Sequence, residues 1–341
     1  MNIKTKELIL TAINAFVNAT GLKAGHQYKV RDKNRYPGGK LRIDHQKVSW
    51  DMAIQVKHTV NRTTVGLRHA ELAKDRDGCV LLTTYITPPI ADLMRNNGLF
   101  FIDTAGNAFI NKPPLYVYIN GNKPQVKVEA ANTRRLWKPA GLKVIFAMLN
   151  NPDLVNWTYR QIAAATGTAL GTVEWTIRDL KETGFLLDMG RRNRQLINMA
   201  TLMKRWVEAY PEQLRPKLLI EKFAADDPGW WKAVKIADYG GCWGGEVAAA
   251  KLTRRLKPAL VTIYADQLSG RLIIEKKLRK APNGEIEILK PFWHFEHELT
   301  NRDIVPPLLV YADLMATGDQ RNVETAGIIY DKYLARLDRK D

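Results

Sequence analysis

Apolar residues recur at Leu8, Ile9, Ala12, Ile13, Phe16 and Val17, a spacing that predicts a helix over residues 5–20 with Gly21 as its stop. Beyond it the period shortens to two. Val48, Trp50, Met52, Ile54 and Val56 share one face of a predicted strand, paired through a turn with another near Leu41–Ile43. Residues 64–75 read as a helix and CVLLTTYI (79–86) as a buried strand. PPIADLMRNNG (88–98) reads as a helix with proline at its start and glycine at its end. LFFIDTAGNAFI (99–110) has the turn chemistry of a hairpin at Gly106-Asn107, and LYVYI (115–119) is a further strand. The polar, basic stretch 120–138 is the best domain boundary in the chain. From 139 to about 186 the period is helical, and 186–198 reads as a short basic hairpin. The last third predicts strands at 260–266, 271–278 and 285–293, then helices at 305–318 and 323–337. The expected fold class is therefore α/β in the mixed α+β sense. Three parts are expected: an α/β domain over 1–125, a middle domain over 135–200 and a C-terminal α/β domain over 201–341.

The middle segment carries the most specific local signal. Thr158 is placed to cap a short helix with Ile162 and Ala163–Ala165 on its apolar side, and Gly167 ends it. A second helix follows with Val173, Ile177 and Leu180 facing inward. A short helix, a tight glycine turn and a second helix make helix-turn-helix spacing, and the hairpin after it would be a wing. The second helix is then expected to enter a major groove, with Thr168, Thr172, Glu174, Trp175 and Arg178 pointing away from the core. Tyr159 and Arg160 on the first helix would meet the backbone. Arg191, Arg192 and Arg194 in the wing would grip phosphates or the minor groove.

Charge reinforces this. The chain has 341 residues with 52 Lys and Arg against 35 Asp and Glu, a formal net charge of +17. Such an excess favours a polyanionic partner, because each phosphate neutralised by a cation releases condensed counterions. Two distant cysteines, Cys79 and Cys242, offer neither a zinc ribbon nor a disulfide framework. No run of about 18 apolar residues spans a membrane, and the amphipathic N-terminus lacks the apolar core of a signal peptide, so a cytoplasmic location is expected.

The first domain raises a competing possibility. Asp51, Gln55 and Lys57 share a strand face, and Asp44 precedes them across the turn. A carboxylate followed by (Glu or Gln)-x-Lys resembles nucleases of the PD-(D/E)xK type, in which acidic groups hold a divalent cation and the lysine helps activate water. Glu7 could complete a metal site with Asp44 and Asp51. Here Gln55 replaces the usual acid and removes a charge from that site. The expectation is thus a nuclease-like scaffold without catalysis and without cofactor; the alternative is a magnesium-dependent DNA endonuclease. Asp103, before a glycine turn, is read as satisfying turn backbone groups. The glycines of GGCWGGEVAAA (240–250) are read as allowing close packing beside Trp243, and Glu246 as suiting a helix start. His294 and His297 are read as surface polar residues. Asp313, Asp319, Arg321, Asn322 and Glu324 are read as structural Asp–Arg bonding across a helix corner.

Several stretches in combination carry a family resemblance: IDTAGNAFIN, GLKVIFAMLNNP, YRQIAAATGTALGTV, LKETGFL, LRPKLL, WGGEVAA and VPPLLVYADLMATGDQRNVETA. Over roughly residues 80–335 the chain resembles the AbiEi-type antitoxins and transcriptional regulators of type IV toxin–antitoxin systems. The resemblance implies a winged-helix regulator that binds double-stranded DNA at its own promoter and represses its operon. It maps the DNA-binding segment onto 158–183 and the wing onto 186–198. It also implies a companion toxin of the nucleotidyltransferase type, countered without need of a stable complex. The α/β domain preceding the winged helix departs from the family's usual order.

Overall fold

The stripe Leu8, Ile9, Ala12, Ile13 and Phe16 does close against a sheet, and the helix that carries it opens the structure. A computed structural model describes residues 3–27, 38–45, 48–72, 78–124, 135–190, 193–297 and 303–337. The chain divides into two compact units, Met1–Asn132 and Thr133–Asp341.

The first unit runs α1 (Ile3–Thr20), β1 (Lys23–Gln27), β2 (Lys40–His45), β3 (Val48–Val56), α2 (Arg62–Leu72), β4 (Cys79–Thr83), α3 (Pro88–Asn96), β5 (Phe100–Asp103), β6 (Ala108–Lys112) and β7 (Leu115–Ile119). Its seven strands lie side by side in chain order. β3, β4 and β5 are parallel neighbours and the other pairs antiparallel. Two parallel crossovers of one hand put α2 and α3 on the same face, where Val65, Ala91 and Met94 pack on Leu81, Phe101 and Phe109. α1 covers the opposite face, its stripe against Leu41, Ile43, Met52 and Ile54. Strand β1 is not legible in the sequence, because KAGHQ has no apolar alternation.

Asp103 behaves as its turn position suggests. Its Oδ1 accepts from the amides of Ala105 and Asn107, each at 2.9 Å, and its Oδ2 from the amide of Ile86 at 2.9 Å and Asn107 Nδ2 at 2.8 Å. Burial pushes this carboxyl up, and those four donors pull it back.

The second unit contains α4 (Pro139–Asn150), α5 (Tyr159–Thr166), α6 (Leu170–Glu182), β8 (Leu186–Asp188), β9 (Arg194–Leu196) and α7 (Met199–Gln213). It continues with β10 (Leu219–Ala224), β11 (Cys242–Gly244), α8 (Gly245–Thr253), β12 (Val261–Tyr264), α9 (Gly270–Glu275), β13 (Arg279–Lys280), β14 (Ile286–Leu289), α10 (Pro307–Thr317) and α11 (Gln320–Ile329). A five-stranded sheet in the order β11-β12-β14-β10-β13 carries α8 and α10, and α11 packs on those two helices. The sequence predicts a boundary near residue 200, yet both sides of it lie in this one unit. The reason is α7. Its Trp206 is fully buried, stacks on Phe146 of α4 and on Tyr210 at centroid distances of 5.1 and 4.9 Å, and donates Nε1–H to Leu142 O at 2.8 Å. The aromatic segment after β14 joins the same cluster through Phe292, Trp293 and Phe295 around Phe146.

Residues 271–278, expected as a strand, form α9 and its exit instead. A strand would put Leu272 and Ile274 on one face; Leu272 is buried and Ile274 is 79% exposed. The Arg271–Glu275 pair at 2.8 Å spans one helical turn. A run this short cannot separate the two periods by pattern alone.

Buried polar groups tie the sheet to its helices. Arg215, just after α7, donates from Nε to Asp313 Oδ1 at 3.0 Å and from Nη2 to Glu287 Oε2 at 2.8 Å. Lys222 approaches the other Glu287 oxygen at 2.8 Å. The hydroxyls of Tyr210 and Tyr264 each donate to Asp313 at 3.2 Å. Burial pushes the Asp313 carboxyl up, while Arg215 and the two hydroxyls oppose it. Glu287 is held below its ordinary value by Arg215 and Lys222 against the effect of burial.

Asp313 thus pairs with a residue far away in sequence, not with Arg321 across the helix corner. Asn322 bonds from that corner to Glu246 at 2.8 Å. Glu246 is itself buried, and its other oxygen accepts from the amide of Ala259 at 2.6 Å, so its role is to anchor a loop as well as to begin α8. The glycines beside it are sterically required. A Cβ on Gly244 would sit 2.5 Å from the Tyr264 ring.

Candidate functional site

α5, α6 and the β8–β9 hairpin form a surface whose geometry follows from local chemistry. Thr158 and Gln161 make a reciprocal capping box: the Gln161 amide donates to Thr158 Oγ1 at 3.3 Å and the Thr158 amide to Gln161 Oε1 at 2.9 Å. Gly167 ends α5 in the left-handed region at φ 58°. A Cβ there would also meet His294 Nε2 at 2.9 Å, and the His294 amide donates to Ala165 O at 3.0 Å. The segment after β14 therefore backs the corner between α5 and α6 through its backbone, while the His294 side chain is exposed, as its reading as a surface polar residue expects. Burial alone pulls the His297 imidazole down to about 4, so it is neutral at physiological pH.

Ile162, Ala165, Val173, Ile177 and Leu180 are buried beneath the corner, as their spacing predicts. The outer side of α6 presents Glu174 and Arg178 as exposed and Thr172 and Trp175 as half-buried. Arg160 is exposed on α5 and Tyr159 half-buried. Thr168 is half-buried and shares its hydroxyl with Thr166 at 2.8 Å, which engages it within the turn.

The β8–β9 hairpin departs from the sequence expectation at one arginine. Arg194 is 9% exposed. Its Nη2 donates to Trp157 O at 3.1 Å, its guanidinium lies 5.4 Å over the Tyr159 ring, and its backbone amide and carbonyl bond the Asn156 side chain at 2.7 and 3.0 Å. Strand alternation turns residues 194 and 196 inward, so Arg194 clamps the β8–β9 hairpin to the start of α5 instead of projecting outward. Lys181 pairs with Asp188 and holds the other strand to α6. Arg191 and Arg192 lie outside the described residues.

Between α5, α6 and the β8–β9 hairpin runs an open cleft of about 580 Å³, lined by Trp157, Thr158, Tyr159, Arg160, Leu170, Asp188, Gly190 and Arg194. Sequence reasoning misses Trp157 and Leu170. Both are apolar, yet they are 41% and 48% exposed.

The nuclease-like constellation is not brought together. β2–β3 pairing sets Asp44 opposite Ser49 and Arg42 opposite Asp51. Asp44 therefore lies level with a position six residues from Gln55, roughly 20 Å along the strand at about 3.4 Å per residue. Asp44 instead accepts from Arg42 Nε at 3.1 Å, and hydrogen bonds from Ser49 and Arg42 hold its carboxyl below the usual range. Asp51, Gln55 and Lys57 do share a face, but Asp51 is four residues from Gln55. Glu7 sits on α1, which packs on the other face of the sheet. Among the described residues no three His, Cys, Asp or Glu side chains are grouped to hold a metal ion, and no helix is long and apolar enough to cross a membrane.

Comparison with known proteins adds two family matches. Residues 140–209, spanning α4 to α7, match the Firmicute plasmid replication protein (RepL) family. Residues 195–335 match the family described as transcriptional regulator, AbiEi antitoxin, type IV TA system. No curated protein and no solved structure matches the chain. The AbiEi match is narrower than the stretches that carry the resemblance, since the helix-turn-helix and everything before it fall outside. Through residues 195–335, less than half of its length, the chain is similar to the AbiEi family of antitoxins and transcriptional regulators of type IV toxin–antitoxin systems.

Proposed function

We propose that this chain is a cytoplasmic regulator that binds double-stranded DNA at its own promoter through α6 and the wing, represses that operon, and counters a toxin of the nucleotidyltransferase type. The observation that carries the DNA half is the exposed face of the capped helix-turn-helix. It sets Arg160 and Arg178 on adjoining helices, and in the sequence Arg191 and Arg192 fall between strands β8 and β9 that follow. In this reading Glu174, Trp175 and Arg178 meet base edges, and Arg160, Arg191 and Arg192 meet phosphates. The net charge of +17 agrees with a polyanionic partner, and the match to a plasmid replication family covers the same helices. The antitoxin half rests on the AbiEi match.

Replacing Arg160, Arg191 and Arg192 together by alanine is expected to weaken binding to every duplex. It should also flatten the plot of log affinity against log salt by roughly 0.9 for each phosphate that is no longer neutralised. Titrations at several salt concentrations measure this, and an unaltered slope would remove these residues from the interface. On coexpression the chain should relieve growth inhibition by a neighbouring nucleotidyltransferase-type toxin; continued inhibition would remove the antitoxin half.

A further inference from the structure

The first turn of α6 is unusual for a helix start. Ala169 at the cap position offers no side-chain acceptor, Leu170 faces solvent, and Gly171 follows. Gly171 has no internal reason to be glycine. Its φ is not left-handed, and a Cβ built on it meets nothing within 4 Å. At Gly141 the same Cβ would fall 2.4 Å from Leu136 O, so there the fold itself excludes a side chain. Glycine in a helix is less favourable than alanine, and among the described residues nothing packs against this position to compensate. What Gly171 leaves room for lies outside the protein.

The surroundings indicate what that is. Ala164, Ala169, Leu170, Gly171 and Trp157 are all exposed and uncharged. Leu170 and Trp157 line the same cleft as Arg160. A basic residue beside exposed apolar side chains suits a duplex, whose phosphates are charged and whose major groove offers one apolar base feature, the thymine 5-methyl group. We infer that Leu170 reads a thymine methyl in the major groove, and that Gly171 stays bare so that α6 can approach closely enough to make this contact. The inference rests on α6 being the DNA-facing helix.

The test uses the full chain and a duplex selected by it from a randomised pool. Gly171→Ala introduces no clash, and its thermal midpoint should be no lower than the parent's. Its affinity for the selected duplex should fall about tenfold or more, the scale of one mismatched base pair, with affinity for random duplex unchanged. Replacing the thymines one at a time by deoxyuridine removes only the methyl. At one position affinity should fall about fourfold, the worth of one buried methyl group, and Leu170→Ala should abolish that difference. Full affinity of Gly171→Ala for the selected duplex, or indifference to every deoxyuridine, overturns the inference. So does a Leu170→Ser variant whose free protein changes its sedimentation while its DNA affinity is intact, which would assign Leu170 to self-association. A parent chain that binds no duplex would defeat the DNA reading itself, a different result from a parent that binds while Gly171→Ala binds equally well.

Discussion

Replacing Arg215 by alanine is expected to cost about 3–5 kcal/mol of folding stability, the range for breaking a buried ion pair from one side. The guanidinium serves two carboxylates whose side chains are only 2% and 9% exposed, Asp313 and Glu287. Without it, Asp313 keeps only two tyrosine hydroxyls and Glu287 only Lys222. The loss should appear as a lower denaturant midpoint at unchanged slope. It should also depend on pH with a definite sign. Glu287 is held below its ordinary value, so its contribution is present above the unfolded value near 4.3 and lost as pH falls through the folded one. Protonation likewise relieves the stranded charge on Asp313. The deficit of the variant relative to the parent should therefore shrink toward acid pH. A deficit below about 1 kcal/mol at neutral pH, typical of an exposed pair, would show that the network is not the brace described here.

Trp206→Ala has a comparable expected cost, about 3–5 kcal/mol for emptying a fully buried indole site. It should also impair DNA binding, which Arg215→Ala should do only in proportion to unfolding. Trp206 lies between Phe146 on α4 and Tyr210 on its own helix, and α4 is the floor beneath α5 and α6. Trp206→Phe, which retains a stacked ring but loses the bond to Leu142 O, should cost far less, about 1–2 kcal/mol. Far-UV circular dichroism during denaturation and a binding titration on the folded fraction separate the two effects. Equal stability of the alanine and phenylalanine variants would mean that the stacked ring carries no weight.

What is legible in the sequence follows from how local each determinant is. The cap at Thr158, the stop at Gly167 and the inward residues Val173, Ile177 and Leu180 depend on neighbours within one or two turns, and they lie as their spacing predicts. The Asp103 turn is equally local. Pairings across long separations are not legible. Arg215 meets Asp313 and Glu287 only after the sheet forms, and of the corner residues Asp319 does pair locally with Arg321 and the Asn322 amide while Asp313 and the Asn322 side chain reach away to Arg215 and Glu246. The same limit governs the interface. Residue type puts Arg194 outside, whereas hairpin alternation and the Asn156 clamp turn it inward. In the first unit the alternation alone is enough to put Asp51, Gln55 and Lys57 on one strand face. The register that keeps Asp44 away depends on a turn whose length the pattern does not define.

A titration of the full chain against the DNA upstream of its own gene, with a random duplex of equal length as competitor at physiological salt, tests the central claim most directly. The expected result is uncleaved DNA bound more tightly at the upstream site than at the random duplex, by on the order of 10³-fold or more. Equal affinity for both duplexes, or binding to neither, would contradict a promoter-binding regulator.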